Sequence, residues 1–194
     1  MTNEPDDASL LAMSASGDPD AFDHFVARHR AAVFRYLRTK TNDADADAED
    51  ALQHTFVQAW RNAATIVVAD TARPWLFTVA RNAVVRQQRR VAATNQTDDD
   101  LGHLGELAGF AADDATPERF AEVAEERSVV QAALASLPEQ DREILTLRDL
   151  EQLPGERVAE LLSLTLPAMK SRLHRARLRL VAELRNRMPE EETR

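Results

Sequence analysis

Apolar side chains recur every three or four residues in three stretches of the first half of the chain. That period is typical of amphipathic helices, so it predicts helices over 21–40, 48–60 and from Pro74 towards Arg90. The break at 62–71 predicts a loop, and we expect residues 1–9 to be disordered. The apolar positions of the three predicted helices are Phe22, Phe25, Val26, Val33, Phe34, Leu37, Ala51, Leu52, Phe56, Val57, Trp60, Trp75, Leu76, Val79, Ala80, Val84 and Val85.

The pattern changes after residue 90. Residues 91–117 are rich in Asp, Thr and Gly and have few periodic apolar positions, which predicts an acidic linker. Residues 118–187 return to the helical period, with helices expected over 120–135, 139–150 and 156–180, and 188–194 form a tail. The sequence therefore predicts an all-α protein with two small helical domains, 10–90 and 118–187, joined by a flexible acidic linker.

The segment 156–180 has the pattern of a helix-turn-helix. Ser163 and Leu164 form the predicted turn, Thr165 is a good N-cap for the next helix, and Pro167 falls in its first turn, where a missing N–H costs little. Met169, Leu173, Ala176 and Leu180 recur at helical spacing and predict the buried side, while Lys170, Ser171, His174 and Arg175 fall on another side. The second helix of such a motif enters a major groove, so double-stranded DNA is the predicted partner.

Composition restricts the class of protein. The chain has 194 residues, 44% of them apolar, and no cysteine, which excludes disulfides and thiolate metal sites. No apolar run approaches the ~20 residues that span a bilayer, and the acidic N-terminus lacks the features of a signal peptide. We therefore expect a soluble cytoplasmic protein without direct membrane insertion.

The net charge of −9 argues against a nucleic-acid partner, but the distribution of charge does not. Lys and Arg are absent before Arg28 and from 91–118, and they concentrate in 73–90 and 170–187. Local fields rather than the total govern binding to a polyanion. Two basic helices in an acidic protein therefore remain compatible with DNA binding.

Five segments, in order, resemble an extracytoplasmic-function (ECF) sigma factor of the sigma-70 family. They read GDPDAFDHFVARHRAAVFRYL, DAEDALQHTFVQAW, ARPWLFTVARN, LPEQDREILTLRDLEQL and VAELLSLTLPAMKSRLHRARLRL. The resemblance implies a bacterial transcription initiation factor with a sigma-2 domain at 10–90 and a sigma-4 domain at 118–187. Sigma-2 would bind the clamp of core RNA polymerase and open and read the −10 element. Sigma-4 would bind the −35 element and the polymerase flap, and the linker would thread towards the active-site and RNA-exit channels.

The resemblance also assigns residues to these tasks. The residues expected at the −35 element are Lys170, Ser171, Arg172, His174, Arg175 and Arg177. Those expected at the −10 element are Arg73, Trp75, Arg81, Asn82, Arg86, Arg89 and Arg90, with 62–71 as the loop that pockets a flipped base. Those expected at the core polymerase are Glu49, Asp50, Gln53, His54, Val57 and Trp60. Aromatic platforms, cations and amides suit the binding of single-stranded bases, and Lys or Arg suits guanine edges or phosphate.

The chain departs from the family pattern at several positions. Ser163 stands where Gly is common in the turn, and Pro167 and Ala168 replace a common Gly-Thr. His54 stands where Glu is common, and Arg86 where Asp is frequent. These departures concern the details of promoter contacts rather than the family.

Other functions remain as alternatives. One is a helix-turn-helix transcriptional regulator whose N-terminal half senses a ligand or dimerises. An enzyme of nucleic-acid metabolism ranks last, because no catalytic residues, nucleophile or carboxylate–metal cluster stand out, and no cofactor is expected. Asp43, Asp45 and Asp47 have calcium-loop spacing, but Ala48 and His54 occupy the positions that need Gly and Glu, so no metal is expected. Family resemblance further implies an anti-sigma factor as a partner.

Overall fold

The computed structural model describes residues 4–41, 44–66, 69–94 and 128–187. Helices make up the regular secondary structure of these residues. Within those ranges the all-α prediction is confirmed. The chain divides into two units, Met1–Leu107 and Ala108–Arg194. The predicted linker from residue 95 to 117, residues 118–127 of the predicted second domain and the tail at 188–194 lie outside the described residues.

The described part of the first unit contains four helices. They are α1 (Asp7–Ala15), α2 (Pro19–Lys40), α3 (Asp45–Arg61) and α4 (Ala69–Thr94), with a short 3-10 turn at Ala63–Thr65. Asp18 caps α2, since its Oδ1 accepts from the N–H groups of Asp20 and Ala21 at 3.0 and 3.2 Å.

The core of the first unit forms where α2, α3 and α4 pack together. Phe25 and Leu37 of α2 are fully buried, as the apolar period predicted. Tyr36 adds an aromatic contact, since its ring meets that of Phe77 edge to face with centroids 5.3 Å apart. The core therefore fixes the mutual positions of the helices that carry the predicted polymerase and −10 residues.

The prediction that residues 1–9 are disordered is wrong from residue 7, where α1 begins. Asp6 caps the helix, because its Oδ1 accepts the N–H of Ser9 at 2.8 Å. Leu10 and Leu11 are 1% exposed. The apolar pattern of this segment is too short to predict a helix alone, and packing against α2 and α4 supplies the missing stabilisation.

Asp7 connects α1 to α2 through two side chains. Its carboxylate lies 2.7 Å from His29 Nε2 and accepts from Arg28 Nη1 at 2.8 Å. Burial acts to raise the pKa of Asp7, but hydrogen bonds from His29 and Arg28 outweigh it and hold the pKa below its ordinary value. The acidic residues of the N-terminus therefore serve partly to attach α1.

Helix α4 is longer than predicted at both ends. It begins at Ala69 rather than at Pro74, which lies inside the helix. The prediction placed the start of the helix at Pro74, but an interior proline is tolerated when the loss of one backbone hydrogen bond is offset by packing. The helix also continues to Thr94, so residues 91–94 are helical rather than part of a linker.

The second unit begins its described part with α5 over 128–136. It continues with α6 (Glu139–Leu145), a π-helical turn (Thr146–Leu150), α7 (Gly155–Leu161) and α8 (Leu166–Arg187). The helix predicted over 139–150 is therefore present with a wider last turn. Helix α8 packs on both α6 and α7.

The turn between α7 and α8 confirms the helix-turn-helix. The N–H groups of Ser163 and Leu164 donate to the carbonyls of Glu160 at 3.1 Å and Ala159 at 2.8 Å, the two bonds of a Schellman motif. Ser163 has a φ of 56°, a left-handed conformation that favours glycine. Thr165 accepts the N–H of Ala168 at 3.3 Å, as expected of the predicted N-cap.

Candidate functional site

An apolar groove runs between α2 and α3 and has a volume of about 530 Å³. Five of the six residues predicted to bind core polymerase line it, and the sixth, His54, is half-buried beside them. The lining residues are Phe22, Val26, Arg30, Glu49, Asp50, Leu52, Gln53, Phe56, Val57 and Trp60. An apolar floor with a polar rim is the usual composition of a protein interface.

Trp60 and Val57 are the exposed apolar residues of this groove, at 42% and 40% exposure. The Trp60 ring meets Phe22 edge to face, with centroids 4.9 Å apart, so it is held in place although it is exposed. Phe56 is buried at 8% exposure and belongs to the core, as the sequence favoured. A fixed, exposed tryptophan is the type of residue that anchors protein interfaces.

The sequence missed the contribution of α2 to this groove. Phe22 and Val26 were expected to face inward, and Arg30 was not singled out. Arg30 Nη2 donates to both carboxylate oxygens of Glu49, at 2.8 and 3.1 Å. Pairing between α2 and α3 depends on how the helices pack, and helical period alone does not report it.

Two of the three aspartates with calcium-loop spacing contact side chains of the same unit. Asp45 Oδ1 lies 3.1 Å from Arg38 Nε, and Asp47 Oδ1 accepts from Gln87 Nε2 at 2.6 Å. Among the described residues, no group of three or more His, Asp or Glu side chains could hold a metal ion, and no helix could cross a membrane. Asp43 lies outside the described residues.

The residues predicted for the −10 element divide into two sets on α4. Trp75, Asn82, Arg86 and Arg89 are separated by seven, four and three residues, so they share one side of the helix. Asn82 and Arg86 are exposed, whereas the Trp75 ring is half-buried. Arg90 lies next to this side.

Arg73 and Arg81 lie away from the side that carries Trp75 and Asn82, because their spacing from Trp75 is −2 and +6 residues. Both are half-buried, and both have interaction partners. For Arg89 and Arg90 the described part of the chain gives the helical backbone but not the side chains. The structure therefore brings together some of the predicted −10 residues and separates others.

The predicted −10 loop, 62–71, is shorter than expected because the 3-10 turn and the start of α4 occupy part of it. Ala63 and Ile66 are 4% exposed and anchor the segment, while Ala64 and Thr65 between them are exposed. Helix α1 packs against this 3-10 turn. Residues 67 and 68 lie outside the described residues.

Helix α8 separates apolar and polar side chains as predicted. Met169, Leu173 and Ala176 are buried, and Leu180, expected to be inward, is half-buried. The exposed residues on the other side are Lys170, Ser171, His174, Arg175 and Arg177, with Arg172 half-buried. The spacing of 170, 171, 174 and 175 puts four polar side chains on one face of the N-terminal half, the part that reads base edges in this motif.

Two arginines of α8 form ion pairs with acidic residues near α6. Arg177 donates through Nε and Nη2 to the two carboxylate oxygens of Asp149, at 2.9 and 2.6 Å. Hydrogen bonding to Asp149 raises the pKa of Arg177. Arg179 pairs with Asp141, which is buried. An exposed pair such as Arg177–Asp149 contributes at most about 1 kcal/mol to stability.

Comparison with known proteins agrees with this architecture. The family model of Sigma-70 region 2 matches residues 25–94, and that of Sigma-70 region 4 matches residues 127–180. The chain is 31% identical over 186 residues to RNA polymerase sigma factor CnrH of Cupriavidus metallidurans, covering 95% of this chain and 97% of CnrH. It is 32% identical over 155 residues to ECF RNA polymerase sigma factor SigL of Mycobacterium tuberculosis, covering 76% and 80%.

The chain belongs to the ECF sigma factors of the sigma-70 family. Among solved structures, CnrH in complex with the cytosolic domain of CnrY is 27% identical, with a TM-score of 0.61 and coverage of 94% of this chain and 99% of that chain. RpoE of Bartonella quintana, solved with the anti-sigma factor NepR, is 23% identical with a TM-score of 0.63 and shares the fold. As an ECF sigma factor, the chain is a transcription initiation factor.

Proposed function

We propose that this sigma factor binds core RNA polymerase through the α2–α3 groove and directs it to promoters through α4 and α8. The observation that carries the proposal is the division of α8 into a buried apolar side and an exposed polar side behind a capped helix-turn-helix. Met169 and Leu173 hold the helix against its unit, which leaves Lys170 and Arg175 for a DNA groove. A helix so presented reads base edges with its N-terminal half.

The α2–α3 groove is proposed as the surface for the polymerase clamp. Trp60 and Val57 offer exposed apolar area, and Asp50 and Gln53 form a polar rim. Burial of such a patch by a partner supplies most of the binding free energy, while the rim orients the partner. Glu49 is a weaker candidate for direct contact, because Arg30 already neutralises its charge.

Helix α4 is proposed to hold the opened −10 strand. The side that carries Trp75, Asn82 and Arg86 combines an aromatic ring, an amide and a cation. Stacking, base-edge hydrogen bonds and phosphate neutralisation are the three contributions that single-strand binding needs. The exposed residues Ala64 and Thr65 of the preceding 3-10 turn lie in the segment proposed to receive a flipped base.

No catalysis of its own is proposed for the chain, and no cofactor. Polymerase supplies the chemistry of RNA synthesis, and the sigma factor supplies recognition and strand opening. Work alongside polymerase would place the protein in the cytoplasm. Contacts of the linker with polymerase channels and of the second unit with the flap remain predictions from family resemblance.

An anti-sigma factor is proposed as the regulator. The support is that CnrH, at 27% identity in the solved structure, is in complex with the cytosolic domain of CnrY. The α2–α3 groove has the apolar area that such a partner could cover in competition with the clamp. Copurification of a tightly bound small protein from the native host would support this regulation, and a constitutively active protein would contradict it.

Promoter binding with and without core polymerase tests the proposal against its main alternative. The sigma factor should form a one-to-one complex with sigma-free core and protect promoter DNA strongly only in that complex. A helix-turn-helix regulator would instead protect its operator alone, as a dimer or with a ligand, and would ignore core polymerase. Strong protection by the isolated protein, without core binding, would therefore overturn the sigma assignment of these surfaces.

A further inference from the structure

Arg177 lies on the DNA-facing side of α8 but is already bound to a carboxylate. It follows Lys170 by seven residues, or about two turns, so the two cations share one side of the helix. Its guanidinium donates to both oxygens of Asp149, at 2.9 and 2.6 Å. Asp149 comes from the π-helical turn after α6, 28 residues earlier in the chain.

The pair is open to solvent. The side chain of Arg177 is 53% exposed and that of Asp149 is 33% exposed. Arginine binds carboxylate and phosphate with the same two-pronged geometry, so a DNA phosphate and Asp149 would compete for one guanidinium. Because the pair is exposed, exchange of the carboxylate for a phosphate requires no opening of the core.

The neighbouring pair differs in this respect. Arg179 binds Asp141, whose side chain is only 6% exposed. Breaking that pair would leave a buried carboxylate without its cation, which is unfavourable. Arg179 is therefore fixed to α6, whereas Arg177 can change partners.

We propose that Asp149 is an internal competitor for Arg177 that weakens the sequence-independent part of DNA binding by α8. This inference rests on the proposed function of α8 at the −35 element. Phosphate contacts supply affinity for any sequence, while base contacts supply selectivity. Occupying one phosphate-binding arginine lowers retention on random DNA and leaves sequence reading to the N-terminal half of the helix.

The test compares Asp149→Asn with the wild type, each as full-length protein in holoenzyme. The probes are a duplex carrying the upstream element of a promoter mapped by transcription and a scrambled duplex of equal length. Asp149→Asn should bind both duplexes about threefold more tightly at 0.1 M salt, since one phosphate contact is gained. The slope of log affinity against log salt should steepen by about 0.9.

Four further variants separate competition from other causes. Arg177→Ala should abolish the gain, so that the double variant matches Arg177→Ala alone. Asp149→Glu keeps the charge and should bind as the wild type does. Glu183→Gln is the matched control, because it removes one negative charge from the same unit at an ion pair with Arg187 near the end of α8 and should leave the salt slope unchanged.

Two results would overturn the proposal. One is an unchanged salt slope in Asp149→Asn with a lowered melting temperature, which would make the pair a structural contact only. The other is an equal gain in Glu183→Gln, which would make the effect one of net charge. If Lys170→Ala and Arg175→Ala also leave binding unchanged, the proposed function of α8 fails as well; if they weaken it, only the role of Asp149 fails.

Discussion

The rings of Phe22 and Trp60 meet edge to face across α2 and α3, with centroids 4.9 Å apart and planes at 76°. The contact holds Trp60 in the α2–α3 groove although 42% of it is exposed. An exposed aromatic ring with a fixed orientation loses little conformational entropy when a partner covers it. Trp60 is therefore the residue of the groove that we expect to contribute most to polymerase binding.

Replacement of this ring tests the groove. Trp60→Ala should weaken binding to core polymerase by at least about 2 kcal/mol, or roughly 30-fold, as expected of a central interface residue. Fluorescence anisotropy with labelled core would measure the affinity. Met13→Ala is the matched control, since Met13 is 45% exposed on α1 outside the groove. Equal affinities for the two variants would contradict the placement of the clamp here.

The attachment of α1 by Asp7 predicts a pH-dependent stability. The folded-state pKa of Asp7 lies below its unfolded value, so its contribution is present above about pH 4 and is lost as the pH falls through the folded pKa. Asp7→Asn should lower the free energy of unfolding by about 1–2 kcal/mol at pH 7. That difference should shrink towards pH 3.

Urea unfolding at both pH values measures this effect. Asp23→Asn on the exposed surface of α2 is the control and should change stability by less than about 0.5 kcal/mol at either pH. A loss for Asp7→Asn that is equally large at pH 3 would show that the carboxylate charge is not responsible.

The left-handed backbone conformation of Ser163 predicts a stabilising substitution. Its φ of 56° is unfavourable for a residue with a Cβ atom. Ser163→Gly should therefore stabilise the second unit by about 1 kcal/mol. Ser163→Ala retains the Cβ and should give no such gain. Thermal melting of both variants tests this prediction. Equal melting temperatures for Ser163→Gly and Ser163→Ala would mean that the left-handed conformation of Ser163 costs no stability.

Lys170 and Arg175 predict base-specific effects at the −35 element. If they contact base edges, Lys170→Ala or Arg175→Ala should cost about 1–3 kcal/mol at one or two promoter positions and relax specificity there. Holoenzyme binding to a set of single-substitution promoters measures this. A uniform loss across all sequences would instead assign the side chain to phosphate.

We expect substitutions of Asn82 and Arg86 to affect binding of the −10 strand in different ways. Arg86→Ala should weaken binding of all single strands and reduce the salt slope by about 0.7, because one phosphate contact is lost. Asn82→Ala should alter base preference with the salt slope unchanged. Holoenzyme binding to −10 oligonucleotides over a salt series separates the two. If the two variants show the same salt slope and the same base preference, the separate roles proposed for Asn82 and Arg86 are contradicted.

Features of the fold that depend on neighbouring residues were predictable from sequence. The helix-turn-helix was predicted from the N-cap at Thr165, the turn before it and the spacing of Met169 and Leu173. These signals suffice because caps and the apolar period act within one or two helical turns. The helix at 139–150 was predicted for the same reason. Its π-helical last turn was not, since hydrogen-bond register within a helix leaves little trace in the apolar period.

Features that depend on contacts distant in sequence were not predictable. The pairing of Asp7 with His29, 22 residues away, attaches a helix where disorder was expected. Arg30 reaches Glu49 and Arg177 reaches Asp149 across 19 and 28 residues. The last two pairs change how the predicted site residues Glu49 and Arg177 can act. All three require the packing of two helices to be known first.

Run-off transcription with sigma-free bacterial core polymerase on genomic DNA fragments tests the central claim most directly. With this protein added, the account predicts new transcripts from specific start sites that share upstream elements near −10 and −35. Core alone should give none of them, and Trp60→Ala should reduce their yield. An absence of specific transcripts, together with an absence of binding to core polymerase, would contradict the account.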